Sequence, residues 1–189
     1  MEAPAIINRH RRPFLLPVWL SFAALCAVFL VAVVAFFVFH SATTTVVVIV
    51  RDAEQEIGSI QDPPLSAEGE RRAQRLAQMF GPAKGIGHLE AIYVNDSRQS
   101  QQTANPLAER LAKQPVAVSA ADVKAIAERI LREHSGGTVL VVSHNTVIPA
   151  LIRQLADIDV SPIPSDDYDS LYILSIPTFG DASLLRMQY

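Results

Sequence analysis

The sequence predicts one membrane-spanning helix followed by a three-layer α/β/α domain with a mostly parallel sheet. Three observations lead there. Phe14 to Phe39 (FLLPVWLSFAALCAVFLVAVVAFFVF) is an apolar run without a charged residue. Thr44 to Val50 (TTVVVIV) and Thr138 to Val142 (TVLVV) are short, β-branched and apolar on both faces, the pattern of strands buried on two sides. Strand-like and helical stretches then alternate, which puts helices on both faces of one sheet.

About 20 apolar residues cross a bilayer core as a helix, so residues 14–39 are long enough with some tilt. A helix also satisfies its own backbone where lipid offers no hydrogen bonds. A cleaved signal peptide would have an apolar core of about 7–15 residues and a small-x-small exit. Here the core is longer, and His40 stands where a small residue is needed. An uncleaved anchor is the expectation. Arg9, His10, Arg11 and Arg12 precede the run, whereas Ser41 to Thr45 are uncharged. Positive flanks stay on the cytoplasmic side. Residues 1–13 are thus expected inside and the domain at 44–189 outside, in the periplasm if the chain is bacterial.

Half of the 189 residues are apolar, more than a small soluble domain needs, and the excess lies in this run. Cys26, the one cysteine, sits within it. No intrachain disulfide or cysteine metal cluster can form, so the domain must hold by packing. Beyond the anchor there are 13 basic and 18 acidic residues, a net charge of −5 that argues against a nucleic-acid partner.

The elements follow in order. After the strand at 44–50 comes the loop Gln61-Asp62-Pro63-Pro64-Leu65, with Ser66 as N-cap of a helix over 67–80. Ala73, Leu76, Ala77 and Phe80 share one side of that helix, and Arg71, Arg72 and Arg75 are assigned to the other. Gly81 and Pro82 stop it. Leu89 to Val94 reads as a strand, 101–112 as a helix, 116–118 as a short strand and 121–133 as a helix closed by Gly136-Gly137. The strand at 138–142, a helix over 146–155, and closing strands at 171–176 and 183–187 complete the chain.

Open α/β sheets bind ligands at the carboxyl ends of their parallel strands. Three segments lie there: Val50-Arg51-Asp52-Ala53-Glu54, Asn95-Asp96-Ser97-Arg98-Gln99 and Val142-Ser143-His144-Asn145. From the residues alone, Arg51-Asp52 is a surface ion pair, the Pro-Pro segment a turn and cap, and His144 a histidine at a strand end. His10, His40, His88 and His134 show no partner pattern and are read as structural or solvated.

The order of short motifs says more. Arg51-Asp52-Ala53-Glu54, Asp62-Pro63-Pro64-Leu65-Ser66-Ala67-Glu68-Gly69, Ile92-Tyr93, Gln102-Thr103-Ala104, Thr138 to His144 with Pro149, and Asp167 to Tyr172 together resemble the histidine phosphatase (phosphoglycerate mutase-like) superfamily. The resemblance runs from about Thr44 to the end. It implies an Arg-His pair after the first strand, where the histidine attacks phosphorus. It also implies a second arginine four residues before the threonine of the Gln-Thr motif, and a second histidine after the late strand. Two arginines offset the phosphate charge, which is most of what phosphoryl transfer asks of a protein.

Carried over position by position, Arg51 matches the first arginine and His144 the second histidine, with Ser143 where glycine is usual. Asp52 stands at the nucleophile and Gln99 at the second arginine. Arg98 is one position early for a clamp, and one helical step turns a side chain by about 100°. Asn145 borders the pocket, and Glu54 matches the family's Arg-His-Ala-Glu pattern or caps a neighbouring group.

A carboxylate about 4 Å from a phosphate charge costs on the order of 4 kcal/mol at an effective dielectric of 20. The expectation is therefore a membrane-anchored pseudophosphatase. It would act as a binding, scaffolding or accessory subunit, with the lipid bilayer and a membrane protein as partners and no cofactor or metal. The alternative is an extracytoplasmic phosphomonoesterase using His144 with an unusual acceptor such as Asp52. A small phosphorylated ligand belongs to that alternative only. An uncharged or cationic ligand for the altered pocket is a third possibility.

Overall fold

The computed structural model describes residues 18–40, 43–58, 61–81 and 88–189. The basic flank at 1–13, the start of the apolar run at 14–17, and Pro82 lie outside them. The chain divides into two compact units, Met1–Ser41 and Ala42–Tyr189.

The first unit contains α1 (Val18–His40). At 1.5 Å per residue its 23 residues extend about 34 Å, more than a bilayer's hydrocarbon core. Trp19–Phe37 within it is long and apolar enough to cross a membrane. The described side chains of α1 are mostly exposed, apolar on all sides, and include Cys26. A helix apolar all round has no use for an aqueous face.

The second unit is built on a six-stranded sheet. Its elements are β1 (Thr44–Arg51), α2 (Ala67–Met79), β2 (Leu89–Asn95), α3 (Arg98–Leu111), β3 (Val116–Val118), α4 (Val123–Glu133), β4 (Thr138–Ser143), α5 (Ile148–Ala156), β5 (Ser170–Pro177) and β6 (Ser183–Gln188). The strand order is β3-β2-β4-β1-β5-β6. The pairs β3/β2, β2/β4 and β4/β1 are parallel, while β1/β5 and β5/β6 are antiparallel.

Alternation along the central strands produces the three layers, because successive side chains leave opposite faces. Val47, Ile49, Val139 and Val141 pack with Ile126 and Ile130 of α4 and Leu151 and Ile152 of α5. Val48, Val50, Leu140 and Val142 pack with Leu76 of α2 and Leu107 of α3. Both expected runs are thus buried on two sides, β1 and β4 lying centrally.

Local chemistry sets the helix ends. Ser66 caps α2, accepting from the Gly69 N–H at 3.1 Å. Gly69 itself touches the preceding loop: a Cβ there would lie 2.1 Å from the Glu54 carbonyl oxygen. The family's Leu-Ser-x-x-Gly pattern therefore records a close approach of α2 to the loop after β1.

Two expectations need correction. Helix α3 begins at Arg98 and not at Gln101, because Ser97 caps it and both Asp62 carboxylate oxygens, across the fold, accept from the Arg98 N–H at 3.0 Å. Arg72 is not on a solvated side of α2; it is 8% exposed and buried against Glu54 and Asp169. Smaller shifts place the starts of α4 at Val123 and α5 at Ile148.

Candidate functional site

Arg51, Ser143 and Asn95 end β1, β4 and β2, which lie side by side. Arg51 is in register with Ser143, and the next residue, Asp52, donates its N–H to the Ser143 carbonyl at 3.0 Å. The Ser143 hydroxyl donates to the side-chain Oδ1 of Asn95 at 3.3 Å. This lattice delivers Asp52 and His144 to each other: His144 Nδ1 pairs with Asp52 Oδ2. Ser100 Oγ donates to the same oxygen at 3.1 Å. Asp52 is only 2% exposed, whereas the His144 side chain is 34% exposed. Nε2 of His144 has no hydrogen-bond partner among the described residues.

Arg51 is also engaged by the protein. Its Nη1 donates to the carbonyls of Pro164, Ser165 and Asp167 at 3.2, 2.9 and 3.1 Å. The guanidinium lies 3.7 Å over the centre of the Tyr168 ring, a cation–π contact. Its buried Nε has no hydrogen-bond partner and stands 4.0 Å from Asp52 Oδ1. One cation thus ties the loop before β5 to the end of β1. Asn145 serves the same loop, donating Nδ2–H to the Ile163 carbonyl at 3.0 Å.

Gln99 closes the other side. Its Nε2 donates to the Ala53 carbonyl at 2.6 Å, and the Ala53 N–H donates to Thr103 Oγ1 at 2.9 Å. Thr103 and Gln99, four residues apart on α3, hold the N–H and the C=O of Ala53. Gln102 Oε1 accepts from the Leu65 N–H at 2.9 Å, fixing the Pro-Pro loop. No contact joins the exposed Arg98 side chain to Asp52 or His144. Glu54 faces away from the pair and takes Arg72 in a fork, with Nε–H at 2.9 Å and Nη2–H at 2.6 Å. Asp62 is occupied by the start of α3. Among the described residues no three His, Cys, Asp or Glu side chains are grouped as metal ligands.

The hydrogen bond and charge of Asp52 raise the His144 pKa above its ordinary 6.5, although burial and Arg51 oppose them. A raised folded value means that the pair stabilises the fold fully below the unfolded histidine pKa and loses this as pH rises through the folded one. The melting temperature of residues 43–189 is thus expected to decline from about pH 6 upward through that value. Asp52→Asn should flatten that stretch of the profile. An identical slope in the variant would contradict the pairing.

A sequence profile described as histidine phosphatase superfamily (branch 1) matches residues 36–121 and 116–183. The chain belongs to the histidine phosphatase superfamily. No curated protein matches it by sequence. Among solved structures, the protein histidine phosphatase SixA complexed with tungstate superposes with TM-score 0.57 at 18% identity, covering 76% of this chain and 96% of that one. A mycobacterial glucosyl-3-phosphoglycerate phosphatase gives 0.58 at 17%, covering 75% and 97%. YhfR of Bacillus stearothermophilus gives 0.57 at 19%, covering 74% and 95%. Identities this low speak for a histidine-phosphatase fold and no more.

Within the superfamily frame, Asp52, His144, Arg51 and Gln99 surround the carboxyl ends of β1 and β4, and Asn145 joins them through the loop before β5. Arg98 and Glu54 belong to the neighbouring framework. Two participants were missed in the sequence. Ser100 carries no local signal beyond following Gln99. Tyr168 lies inside the Asp167–Tyr172 motif but gains a role only when the fold folds it under Arg51.

Proposed function

We propose that this protein is a membrane-tethered pseudophosphatase whose domain serves as a binding or accessory subunit of a membrane complex. One observation supports this above all: Arg51, Asp52 and Gln99 are each already engaged by the protein itself. Arg51 is spent on three carbonyls and Tyr168, Asp52 on His144 and Ser100, and Gln99 on Ala53. A phosphate dianion entering here meets a buried carboxylate and finds no second arginine. Losing a bidentate arginine removes the strongest kind of phosphate hydrogen bond.

In this reading α1 spans the membrane with its basic flank in the cytoplasm, and the domain lies on the other side, periplasmic in a bacterium. The bilayer and a membrane protein are its partners, and nucleic acid is not. The alternative, a phosphomonoesterase acting through His144, draws on the unpartnered Nε2 of that ring.

Thermal unfolding of residues 43–189 with and without phosphate or vanadate tests the reading. No anion-dependent rise in melting temperature is expected. A rise of several degrees with either anion would favour the phosphomonoesterase.

A further inference from the structure

Asp52, at the position of the superfamily's nucleophile, makes His144 one half of a carboxylate–imidazole dyad. His144 Nδ1 pairs with Asp52 Oδ2, and Ser100 Oγ donates to the same oxygen at 3.1 Å. Ser97 Oγ donates in turn to Ser100 Oγ at 3.1 Å, which leaves the Ser100 proton for Asp52. An ionised carboxylate only accepts, so the proton between ring and Asp52 belongs to Nδ1. The neutral ring then turns a lone pair outward on Nε2. That nitrogen has no hydrogen-bond partner among the described residues, and the His144 side chain is partly exposed while Asp52 is buried. Arg51 completes the arrangement. Its Nη1 alone carries the three bonds to loop carbonyls. Its Nε is buried without a partner and stands 4.0 Å from Asp52 Oδ1, so that edge of the guanidinium is turned toward the dyad. A buried N–H without an acceptor costs free energy and calls for a reason.

We propose that Asp52, His144 and Arg51 form a general-base site that hydrolyses uncharged carboxylic esters with water as the nucleophile. The proposal goes beyond the pseudophosphatase reading, since it gives the altered pocket a reaction of its own. The substrate class follows from charge. A phosphate dianion meets Asp52, a cation meets Arg51, and a neutral acyl group meets neither penalty. In the first step water attacks the carbonyl carbon while its proton passes to His144 Nε2. The C=O electron pair moves onto oxygen, and the Nε–H edge of Arg51 stabilises that oxyanion. On collapse the C=O bond reforms, the bond to the alkoxy oxygen breaks, and the leaving oxygen takes the proton back from Nε2. A carboxylic acid and an alcohol are released, and the ring is neutral again. Asp52 and Ser100 are positioning residues: they set the tautomer and the aim of the ring.

Hydrolysis of phenyl acetate by the full chain in non-ionic detergent, followed across about pH 5 to 9, tests this. The His144→Gln and Asp52→Asn variants run beside it, with circular dichroism to confirm that each is folded. The hydrogen bond and charge of Asp52, with the charge of Asp96 after β2, hold the His144 pKa above its ordinary 6.5, while burial and Arg51 oppose them. The base is the neutral ring, so the rate is expected to rise with pH through that value to a plateau. His144→Gln is expected to lose about 10²-fold or more. Asp52→Asn is expected to lower the plateau by a similar factor of about 10² and to move the rise toward lower pH. A natural rate at the level of buffer, or one that His144→Gln leaves unchanged, would overturn the proposal. So would a loss in His144→Gln with plateau and rise both unmoved in Asp52→Asn, because the dyad would then play no part. Any of these failures leaves the pseudophosphatase reading standing, since that reading is tested on phosphate.

Discussion

Residues 43–189 carrying Asp52→His and Gln99→Arg are expected to hydrolyse phosphomonoesters about 10³-fold or more faster than the natural segment. The first change removes a carboxylate that would cost a bound phosphate about 4 kcal/mol at an effective dielectric of 20, equivalent to about three powers of ten in rate. It also supplies an imidazole at the position where the family's nucleophile stands. The second change restores a planar, bidentate donor on α3, where Gln99 already points at the backbone after β1. His144 and Arg51 need no replacement. Steady-state turnover of a generic phosphomonoester, with circular dichroism to confirm folding, measures the gain. No gain in a folded double variant would mean that Arg51, held by Tyr168 and the loop carbonyls, is what closes the pocket.

The second large effect concerns stability. Arg72→Ala is expected to cost about 3 kcal/mol, because removing one partner of a buried pair leaves the other charge unpaired. Glu54 is mostly buried, and Asp169, the other partner of Arg72, is half exposed, which keeps the effect at the lower end. In a domain of this size that is a fall of roughly 10 °C in melting temperature. Burial pushes the Glu54 carboxyl up, but its hydrogen bonds and charge contact with Arg72 outweigh this and hold it below the ordinary value. A depressed carboxyl contributes stability above its unfolded pKa of about 4.5 that is lost as pH falls through the folded value. Arg72→Ala should therefore lose less on acidification than the natural domain. Chemical denaturation at pH 7 and pH 4 checks both statements, and a loss below about 1 kcal/mol at pH 7 would contradict them.

Much of the fold could be read directly from the chain. TTVVVIV and TVLVV suit a strand buried on both faces, and β1 and β4 lie at the centre of the mixed sheet, paired parallel with each other. Ser66 announces α2 through its own hydroxyl, a strictly local signal. The start of α3 was not visible, since it depends on Asp62 reaching across 36 residues to the Arg98 N–H. Arg72 was misassigned for a similar reason. Helical periodicity places it beside other arginines, and only the folded loop after β1 brings Glu54 to it. In the pocket, the resemblance assigned residue types to the family's positions. It did not show that Asp52 pairs with His144, nor that Arg51 turns to residues more than a hundred positions away. Such contacts are properties of strand register and loop closure, which no short window contains.

The central claim is that this pocket is occupied by its own side chains and does not turn over phosphate. The most direct measurement is phosphomonoester hydrolysis by the natural segment 43–189 beside its Asp52→Asn variant. Hydrolysis at the level of buffer in both proteins is the expected result. Turnover by the natural segment that disappears in Asp52→Asn would contradict the account and make Asp52 a phosphoryl acceptor.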